Sequence, residues 1–308
     1  MKSESLPNAD VLQGTDCRLQ PILSGHTQIV GVIGWPIEHS VSPPMHNAAF
    51  EALGMDWCYL PFPVHPANLK EAMAGVRALG LRGINVTVPH KKGVVALVDE
   101  LTPAADAVGA VNTVISRGEV LVGHNTDVDG FLRALRETGF EPEGCSALIL
   151  GAGGAARAVV YALAGVGAQL VILNRTLGRA QALAAAFAGV SDAAHLRAGP
   201  LDEKSLRLEM ARANLVVNAT SLGMWPQVGT TPWPDDLPFP SHALLFDLVY
   251  NPRETCLMRR ALSDGARAVG GLRMLVHQGA EAFALWTGRE PPVETMFAAC
   301  RAALRGGE

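Results

Sequence analysis

Polar side chains in the first half of the chain fall at the ends of predicted strands and in the loops that follow them. They are Ser40, Ser42, Asn85, Thr87, Lys91, Asn112, Asn125, Thr126 and Asp127. A small acid with several hydroxyl groups needs many neutral hydrogen-bond donors and acceptors together with a few charges, and these side chains offer both. The set therefore predicts a binding site for a polyhydroxylated acid.

Each of these residues also has a structural alternative. Ser42 fits the N-cap of a helix that starts with Pro43, and Asp127 fits the N-cap of the helix that contains Phe131. Lys91 could be an exposed lysine at a helix start, although the helix dipole disfavours a cation there. The asparagines and threonines could be polar strand faces or turn residues. Taken singly, each residue leaves both interpretations open.

A glycine-rich turn in the second half has the spacing of a dinucleotide-binding motif. Its strand, turn, helix and second strand fit within one βαβ unit. The first glycine allows the tight turn, the second lets the backbone approach a pyrophosphate, and the helix N-terminus supplies free N–H groups. A purely structural turn is the alternative, but the flanking elements favour a dinucleotide. The turn consists of Gly151, Ala152, Gly153, Gly154, Ala155 and Ala156.

The residues at the end of the next strand predict which dinucleotide binds. An acidic residue there would accept the ribose 2′-hydroxyl of NAD, but the chain has Asn174, Arg175, Thr176 and, one turn later, Arg179. Two guanidinium groups suit the 2′-phosphate of NADP, and charge-assisted contacts predict a preference for NADP of at least ~10-fold. Arg179 has the alternative of being a solvated helix residue, whereas Arg175 lies at the strand end itself.

Short strands and amphipathic helices alternate along the chain, which predicts parallel α/β sheets in both halves. Residues 1–27 are polar and aperiodic and are predicted to form a loose leader. One strand–helix series follows the leader, and a second opens at Ser146. Two predicted helices, 273–287 and 292–305, close the chain.

Several connecting segments are assigned from local pattern alone. Residues 91–101 are predicted to form a helix, and the hairpin that follows is predicted to turn at Arg117 and Gly118. The proline-rich stretch 225–240 is predicted to be a long surface loop.

Composition excludes several classes of protein. The formal net charge is −4 without a long basic stripe, so nucleic acid is not expected as a partner. The longest apolar stretch, 147–173, is interrupted by glycines and Arg157, so no membrane span is predicted. The first ten residues lack the apolar region of a signal peptide. The five scattered cysteines fit reduced thiols and a cytoplasmic location.

Histidines close to the polar set suggest a metal site, but their spacing does not support one. His39, His46, His90 and His124 lie on different predicted elements without a pair at helical ligand spacing. We therefore predict no metal.

Nine short motifs occur in an order that identifies a known family. They are VIGWPIEHSVSPPMHN, INVTVPHKK, GAVNTV, GHNTDVDG, GAGGAARA, NRT, ATSLGM, DLVYNP and MLVHQGAEAF. In these motifs and their order the chain resembles the NADP-dependent shikimate dehydrogenases, over about residues 28–290. The resemblance implies an oxidoreductase that interconverts 3-dehydroshikimate and shikimate with NADP as cofactor. This reaction belongs to the pathway that leads to chorismate and the aromatic amino acids.

The resemblance also implies roles for individual residues. Lys91 and Asp127 match the catalytic dyad of that family. Ser40 and Ser42 match the serines that bind the substrate carboxylate. The positions that contact the rest of the substrate are Asn85, Thr87, Asn112, Tyr250 and Gln278. Those that hold the adenosine end of the cofactor are Asn174, Arg175, Thr176 and Arg179, and those along it towards the nicotinamide are Thr220, Ser221 and Met224.

The chemistry of a ketone reduction is consistent with these roles. Hydride addition leaves an oxygen that needs a proton, which Lys91 can supply while Asp127 holds its ammonium group in place. Burial lowers the pKa of a lysine and a neighbouring carboxylate raises it, so the sequence does not fix the outcome for this pair.

Gln278 lies late in the chain, on a predicted helix whose apolar residues indicate a buried face. A buried amide needs a partner, which is either a substrate hydroxyl, the favoured choice, or a backbone carbonyl. If Gln278 binds substrate, the final helices must pack back on the first domain. We therefore predict a substrate domain from 28–130 and 272–308, and a Rossmann-like NADP domain from 131–271.

Two other functions are compatible with the same fold. A quinate or dual quinate/shikimate dehydrogenase is the nearer one, although its usual acid at the strand end is replaced by Asn174-Arg175-Thr176. A non-catalytic NADP-binding sensor is disfavoured because Lys91 and Asp127 are both present. The resemblance leaves a homodimer open.

Overall fold

The computed structural model describes residues 23–190 and 195–305, so most of the predicted leader lies outside the described residues. Two six-stranded sheets form the framework. The strands are β1 (Gln28–Gly34), β2 (Trp57–Pro63), β3 (Gly83–Val86), β4 (Glu100–Leu101), β5 (Thr113–Arg117), β6 (Val120–His124), β7 (Ser146–Leu150), β8 (Gln169–Asn174), β9 (His195–Pro200), β10 (Leu215–Asn218), β11 (Leu244–Asp247) and β12 (Arg267–Gly270).

Ten α-helices within the described residues cover these sheets. They are α1 (Ser42–Ala52), α2 (Leu69–Ala78), α3 (Pro103–Val108), α4 (Asp127–Arg136), α5 (Gly154–Gly165), α6 (Leu177–Phe187), α7 (Glu203–Met210), α8 (Cys256–Ser263), α9 (Leu272–Thr287) and α10 (Val293–Arg305). The predicted α/β class with two sheets is confirmed.

The first sheet has the order β2-β1-β3-β5-β6-β4 and is mixed. β5 runs antiparallel to both of its neighbours, β3 and β6, and the other pairs are parallel. The hairpin between β5 and β6 turns at Gly118 and Glu119, one residue later than predicted, and Gly118 has a φ of 67°. This hairpin brings the segment after β6 next to the end of β3.

The second sheet has the order β12-β11-β10-β7-β8-β9, and every neighbouring pair is parallel. The chain proceeds from β7 first to one side and then to the other, so the topological switch point lies at the carboxyl end of β7. Gly151 occupies that point with a φ of 107°, and a Cβ there would lie 2.9 Å from the Ala219 carbonyl oxygen. Glycine is therefore required for this turn.

The last two helices pack on the first sheet, as predicted. Phe283 and Trp286 of α9 share a buried cluster with Met45 and Phe50 of α1. The Trp286 indole N–H also donates to the Val114 carbonyl of β5 at 3.0 Å.

The predicted domain boundary at residue 130 falls inside α4. Phe131, Ala134 and Leu135 of α4 are buried in the core of the second sheet, although the helix begins beside the first. The predicted boundaries therefore stay a prediction.

The helix predicted for residues 91–101 is wrong. The structure has a short 3-10 helix at Gly93–Leu97 and the strand β4 in its place. Gly93 and three valines disfavour an α-helix. The end of the segment pairs with β6 as the strand β4. The Leu121 N–H of β6 supports this pairing, because it donates to the Asp99 carboxylate at 2.7 Å.

The surface loop predicted for residues 225–240 is only partly correct. Trp233, Leu237 and Phe239 are buried and join the core on one face of the second sheet. The Trp233 indole N–H donates to the Leu237 carbonyl at 2.9 Å, which closes the segment on itself. The many prolines of this stretch led to the loop prediction, and the sequence pattern gave no sign that these three residues are buried.

His46 is a fully buried histidine in α1. Its ring stacks on Tyr59 with centroids 4.4 Å apart and an interplanar angle of 3°, and neither ring nitrogen has a hydrogen-bond partner among the described residues. Burial lowers its pKa from 6.5 to about 3. The folded protein therefore holds His46 in its neutral form.

Replacing His46 by phenylalanine is expected to weaken the pH dependence of the unfolding free energy between pH 6.5 and about pH 3. Because the unfolded chain binds a proton that the folded chain resists, the stability from neutral His46 is complete above pH 6.5 and is lost as pH falls towards about 3. In that window the variant should lose less of its unfolding free energy than the wild type, by up to about 1.4 kcal/mol per pH unit. Denaturant titrations at several pH values measure this slope. The exposed His242→Phe change should leave the slope unaltered, and equal slopes for all three proteins would contradict the assignment.

Candidate active site

Lys91 and Asp127 form a close ion pair. The Lys91 Nζ lies 2.6 Å from the Asp127 Oδ2, and the side chains are 16% and 6% exposed. Lys91 lies in the turn after β3, and Asp127 is the first residue of α4. Thr126 is the N-cap of that helix and Asp127 makes no capping bond, so the capping alternative is wrong.

The second carboxylate oxygen of Asp127 is also engaged. The Asn112 amide donates to Asp127 Oδ1 and to the Thr126 hydroxyl, both at 2.9 Å. The Thr126 backbone N–H donates to Asn112 Oδ1 at 2.8 Å, which fixes the orientation of that amide. Asn125 supports the same segment, because its Oδ1 accepts the Asp127 N–H at 3.2 Å. Asp127 is therefore held on both sides.

Asn85 and Thr87 follow the same edge of the first sheet. The Asn85 amide donates to the Thr113 hydroxyl at 3.0 Å and to the Asn112 carbonyl at 3.3 Å. Asn85 thus joins the hydrogen-bond network that contains Asp127. Thr87 is half-buried, and its hydroxyl makes no hydrogen bond within residues 23–190 and 195–305.

Ser40 and Ser42 stand at the N-terminus of α1. Val41 takes the N-cap position and makes no side-chain capping bond, so the N-cap prediction for Ser42 is wrong. The Ser40 hydroxyl accepts the Ser42 N–H at 3.3 Å. A helix N-terminus with adjacent hydroxyl groups favours an anion, which suits a carboxylate.

Gln278 of α9 reaches the same network. Its Oε1 accepts the Asn112 amide at 3.3 Å, and its Nε2 donates to the Leu275 carbonyl at 2.7 Å. The backbone partner considered as the alternative is therefore present, and the amide still lies beside Asn112. Burial, together with Cys300, raises the pKa of Tyr250 to about 12, so its hydroxyl stays protonated.

The glycine-rich turn lies directly against this pair. Gly153 is the N-cap of α5 and Gly154 its first residue. A Cβ on Gly154 would lie 3.6 Å from the Lys91 Cδ, so the lysine side chain passes over the turn. Ala156 is fully buried between helix and sheet, as its place in the motif predicts. The two halves of the predicted site therefore adjoin at Lys91.

The residues after β8 are free to meet an anion. Arg175, Thr176 and Arg179 are exposed, and neither guanidinium forms an ion pair with a carboxylate in the described chain. The Asn174 amide donates to the Thr176 carbonyl at 2.9 Å and shapes the turn. The solvated alternative for Arg179 stays open.

Thr220, Ser221 and Met224 follow β10, the neighbour of β7. Thr220 donates both its N–H and its hydroxyl to Asn218 Oδ1, at 3.1 and 2.7 Å. Its Cγ2 would lie 3.2 Å from a Cβ on Gly151, so Thr220 borders the glycine-rich turn. Ser221 and Met224 are exposed.

Tyr59 contacts the candidate site but has no signal in the sequence that marks it. Its hydroxyl donates to Asn85 Oδ1 at 2.8 Å from a side chain that is 1% exposed. An apolar strand context made this tyrosine look like an ordinary core residue. No local pattern marked its contact with Asn85.

Neither a metal-ligand cluster nor a membrane span occurs in residues 23–190 and 195–305. No three His, Cys, Asp or Glu side chains there are grouped to hold a metal ion. No helix there is long and apolar enough to cross a membrane.

Three family models match the chain in succession. Residues 32–114 match the shikimate dehydrogenase substrate binding domain, and residues 134–223 match the shikimate / quinate 5-dehydrogenase model. Residues 271–301 match the shikimate 5'-dehydrogenase C-terminal domain. The matches include strands of both sheets and most of the closing helices.

Individual relatives agree with these models. The chain is 50% identical over 279 residues to a shikimate dehydrogenase (NADP(+)) of Moorella thermoacetica, covering 90% of this chain and 94% of the relative. A Thermus thermophilus shikimate 5-dehydrogenase crystallised with NADP(H) and shikimate has a TM-score of 0.81 and 41% identity, with coverage of 90% and 100%. A quinate dehydrogenase of Corynebacterium glutamicum in complex with NAD has a TM-score of 0.80 and 34% identity, with coverage of 90% and 99%.

Each of these relatives covers about nine-tenths of this chain, at 34–50% identity. The resemblance identified from the motifs is therefore confirmed, and the chain belongs to the shikimate dehydrogenase family.

Proposed function

We propose that this chain catalyses the reversible, NADPH-dependent reduction of 3-dehydroshikimate to shikimate, with Lys91 and Asp127 as its proton-transfer pair. The observation that carries the proposal is the 2.6 Å contact between Lys91 Nζ and Asp127 Oδ2 beside Gly154. A proton donor is thereby placed next to a turn suited to a dinucleotide. The reaction belongs to the route to chorismate and the aromatic amino acids.

The residues at the turn fit NADP. A Cβ at Gly151 would fill the space beside the turn, and the N-terminus of α5 offers N–H groups. Arg175 and Arg179 have no acidic partner among the residues that the structure describes. Bound there, NADPH supplies the hydride. The turn positions the pyrophosphate, and the two arginines and Thr176 receive the 2′-phosphate.

Lys91 and Asp127 divide the proton chemistry between them. In the direction of reduction, Lys91 Nζ donates a proton to the carbonyl oxygen of the substrate, and in the direction of oxidation it takes that proton back. Asp127 Oδ2 keeps the ammonium group aimed at the substrate, and Asn112 holds the other carboxylate oxygen. Because Asp127 is fixed on both sides, little rearrangement is needed during transfer.

The neutral side chains around the pair orient the substrate. Ser40 and Ser42 at the N-terminus of α1 receive its carboxylate, aided by the helix dipole. The hydroxyl groups of the ring are bound by Asn85, Thr87, Asn112 and Gln278, and Tyr250 also contacts the substrate. A homodimer and a cytoplasmic location stay predictions from the sequence.

The proposed function is tested by the choice of substrate. Purified protein is assayed for formation of NADPH from NADP⁺ with shikimate and, separately, with quinate. We expect turnover with shikimate and much less with quinate. Turnover with quinate alone would favour the quinate dehydrogenase, whose similarity to this chain makes it the second candidate. No turnover with either acid would favour the non-catalytic sensor.

Replacing Arg175 by alanine tests the cofactor assignment. We expect the KM for NADPH to rise at least ~10-fold, because a charge-assisted contact with the 2′-phosphate is lost. The KM for the acid should change by less than about twofold, since independent sites rarely couple. Steady-state kinetics with each substrate varied in turn measure both values.

Arg212, an exposed arginine without an ion pair in the described chain, provides the matched control. Arg212→Ala should leave both KM values unchanged. Equal increases for the cofactor and the acid in Arg175→Ala would contradict the assignment.

A further inference from the structure

Tyr59 is held in place by two consecutive residues of α1. The Asn47 side chain accepts the Tyr59 N–H at 2.8 Å and donates to the Tyr59 carbonyl at 3.0 Å. The His46 ring lies flat on the Tyr59 ring, with centroids 4.4 Å apart. Backbone and ring are therefore both fixed, and the phenol hydroxyl has little freedom to move. The helix that begins at Ser42 thus also sets the position of this hydroxyl.

The Asn85 amide has almost no unused hydrogen-bonding capacity. A primary amide has two N–H donors and an oxygen with two lone pairs. Both donors are occupied, by the Thr113 hydroxyl at 3.0 Å and the Asn112 carbonyl at 3.3 Å. Tyr59 occupies one lone pair of Oδ1, at 2.8 Å. A single acceptor position on Oδ1 is left.

The orientation of this amide is determined by its partners. The Asn112 carbonyl oxygen can only accept a hydrogen bond, so the amide nitrogen must face it. The Tyr59 hydroxyl then donates to Oδ1. Burial raises the pKa of Tyr59 well above its usual value, against a smaller opposing effect of Ser42, so the phenol stays protonated and remains a donor.

We propose that Tyr59 is a positioning residue that makes Asn85 a pure hydrogen-bond acceptor for one ring hydroxyl of the substrate. The proposal rests on the proposed function and adds a source of specificity to it. A ligand with a hydroxyl at this ring position donates to Oδ1. A ligand that lacks the hydroxyl leaves Oδ1 with a lone pair unused, and one with a keto or ether oxygen there places two acceptors against each other. Selection of a hydroxyl is thus set partly by a residue that does not touch the substrate.

Replacing Tyr59 by phenylalanine isolates the hydroxyl, because the ring and its stacking on His46 are retained. We expect the KM for shikimate to rise about 10-fold, the loss associated with one weakened neutral hydrogen bond, while kcat changes by less than about threefold. The KM for NADP⁺ should not change. Tyr161→Phe is the matched control. Tyr161 packs against Phe187 at the core of the second sheet, and its hydroxyl has no hydrogen bond in the described chain.

A combination with Asn85→Ala shows whether Tyr59 acts through Asn85. If it does, adding Tyr59→Phe to the Asn85→Ala protein should change the KM for shikimate by less than about twofold. A second increase of about 10-fold on top of the first would overturn the proposal, because independent effects multiply. Thermal unfolding of each variant identifies any loss of folded protein.

Substrate analogues provide a second measurement that a general structural defect would not reproduce. Shikimate carries hydroxyl groups at positions 4 and 5 in addition to the one that is oxidised. We expect Tyr59→Phe to reduce discrimination against one of the two analogues, 4-deoxyshikimate or 5-deoxyshikimate, by about 10-fold and to leave the other unchanged. Equal losses for both would overturn the proposal. Absence of shikimate turnover by the unaltered protein would overturn the proposed function, and this inference with it.

Discussion

Replacing Lys91 by alanine is expected to lower kcat for shikimate oxidation by about 10²–10⁴-fold, the usual contribution of a positioned acid–base group. The KM for shikimate should stay within about threefold, because the polar side chains proposed to orient the acid remain in place. The large loss of kcat is expected because Lys91 Nζ lies 2.6 Å from Asp127 Oδ2, beside the glycine-rich turn. Steady-state kinetics with saturating NADP⁺ measure both parameters.

Lys92 offers a control that differs by one position. It is exposed and makes no ion pair in the described chain, so Lys92→Ala should retain near-normal kcat and KM. A loss of affinity in Lys91→Ala as large as its loss of kcat would make Lys91 a binding residue. Similar kinetics in the two variants would remove Lys91 from the chemistry altogether.

Replacing Asp127 by asparagine is expected to lower kcat by about 10²-fold or more, for a different reason. The change keeps the size of the side chain but removes the charge that holds the Lys91 ammonium. In the folded protein, one oxygen of Asp127 accepts from Lys91 at 2.6 Å and the other accepts from the Asn112 amide at 2.9 Å. The asparagine replaces one of these oxygens by an NH₂ group, so either Lys91 or the Asn112 amide then faces another donor. Rapid mixing at saturating substrate measures the effect on the chemical step.

Asp129 is the natural comparison for this variant. It lies in the same first turn of α4 but is exposed and forms no ion pair in the described chain. Asp129→Asn changes the helix-terminal charge by the same amount and should leave kcat close to normal. If both variants lost activity equally, the charge at the helix end, and not the contact with Lys91, would explain the loss.

Local motifs predicted those parts of the site whose geometry is set by neighbouring residues. The turn at Gly151 needs a positive φ and leaves no space for a Cβ next to Ala219. Only glycine meets both requirements, so a glycine between a predicted strand and a predicted helix indicated the turn. The lack of an acid after β8 is also a local feature. These predictions needed no knowledge of how the two sheets meet.

The contact between Lys91 and Asp127 depends on long-range pairing. The hairpin β5–β6 carries Asp127 back to the end of β3, a placement that periodicity alone does not reveal. The chain's resemblance to a family supplied it. The same pairing with β6 explains why residues 91–101 did not become a helix, since the Asp99 carboxylate accepts a backbone N–H from Leu121.

Other features had no sequence signal because their cause is tertiary packing. Trp233 and Phe239 lie in a proline-rich stretch that resembles exposed loop, yet the face of the second sheet offered them a buried site. Tyr59 resembled any aromatic residue of a buried strand until the structure placed its hydroxyl on Asn85. Such roles depend on which elements meet, not on spacing along the chain.

The central claim is that Lys91 and Asp127 act as one unit in proton transfer. The most direct measurement is kcat for shikimate oxidation by the combined Lys91→Ala and Asp127→Asn variant, compared with each single variant. When two groups act as one unit, removing either of them abolishes the contribution of both to kcat. We therefore expect kcat of the combined variant to equal that of the slower single variant, within about threefold. Losses that multiply, so that the combined variant is slower by the product of the two, would contradict the claim.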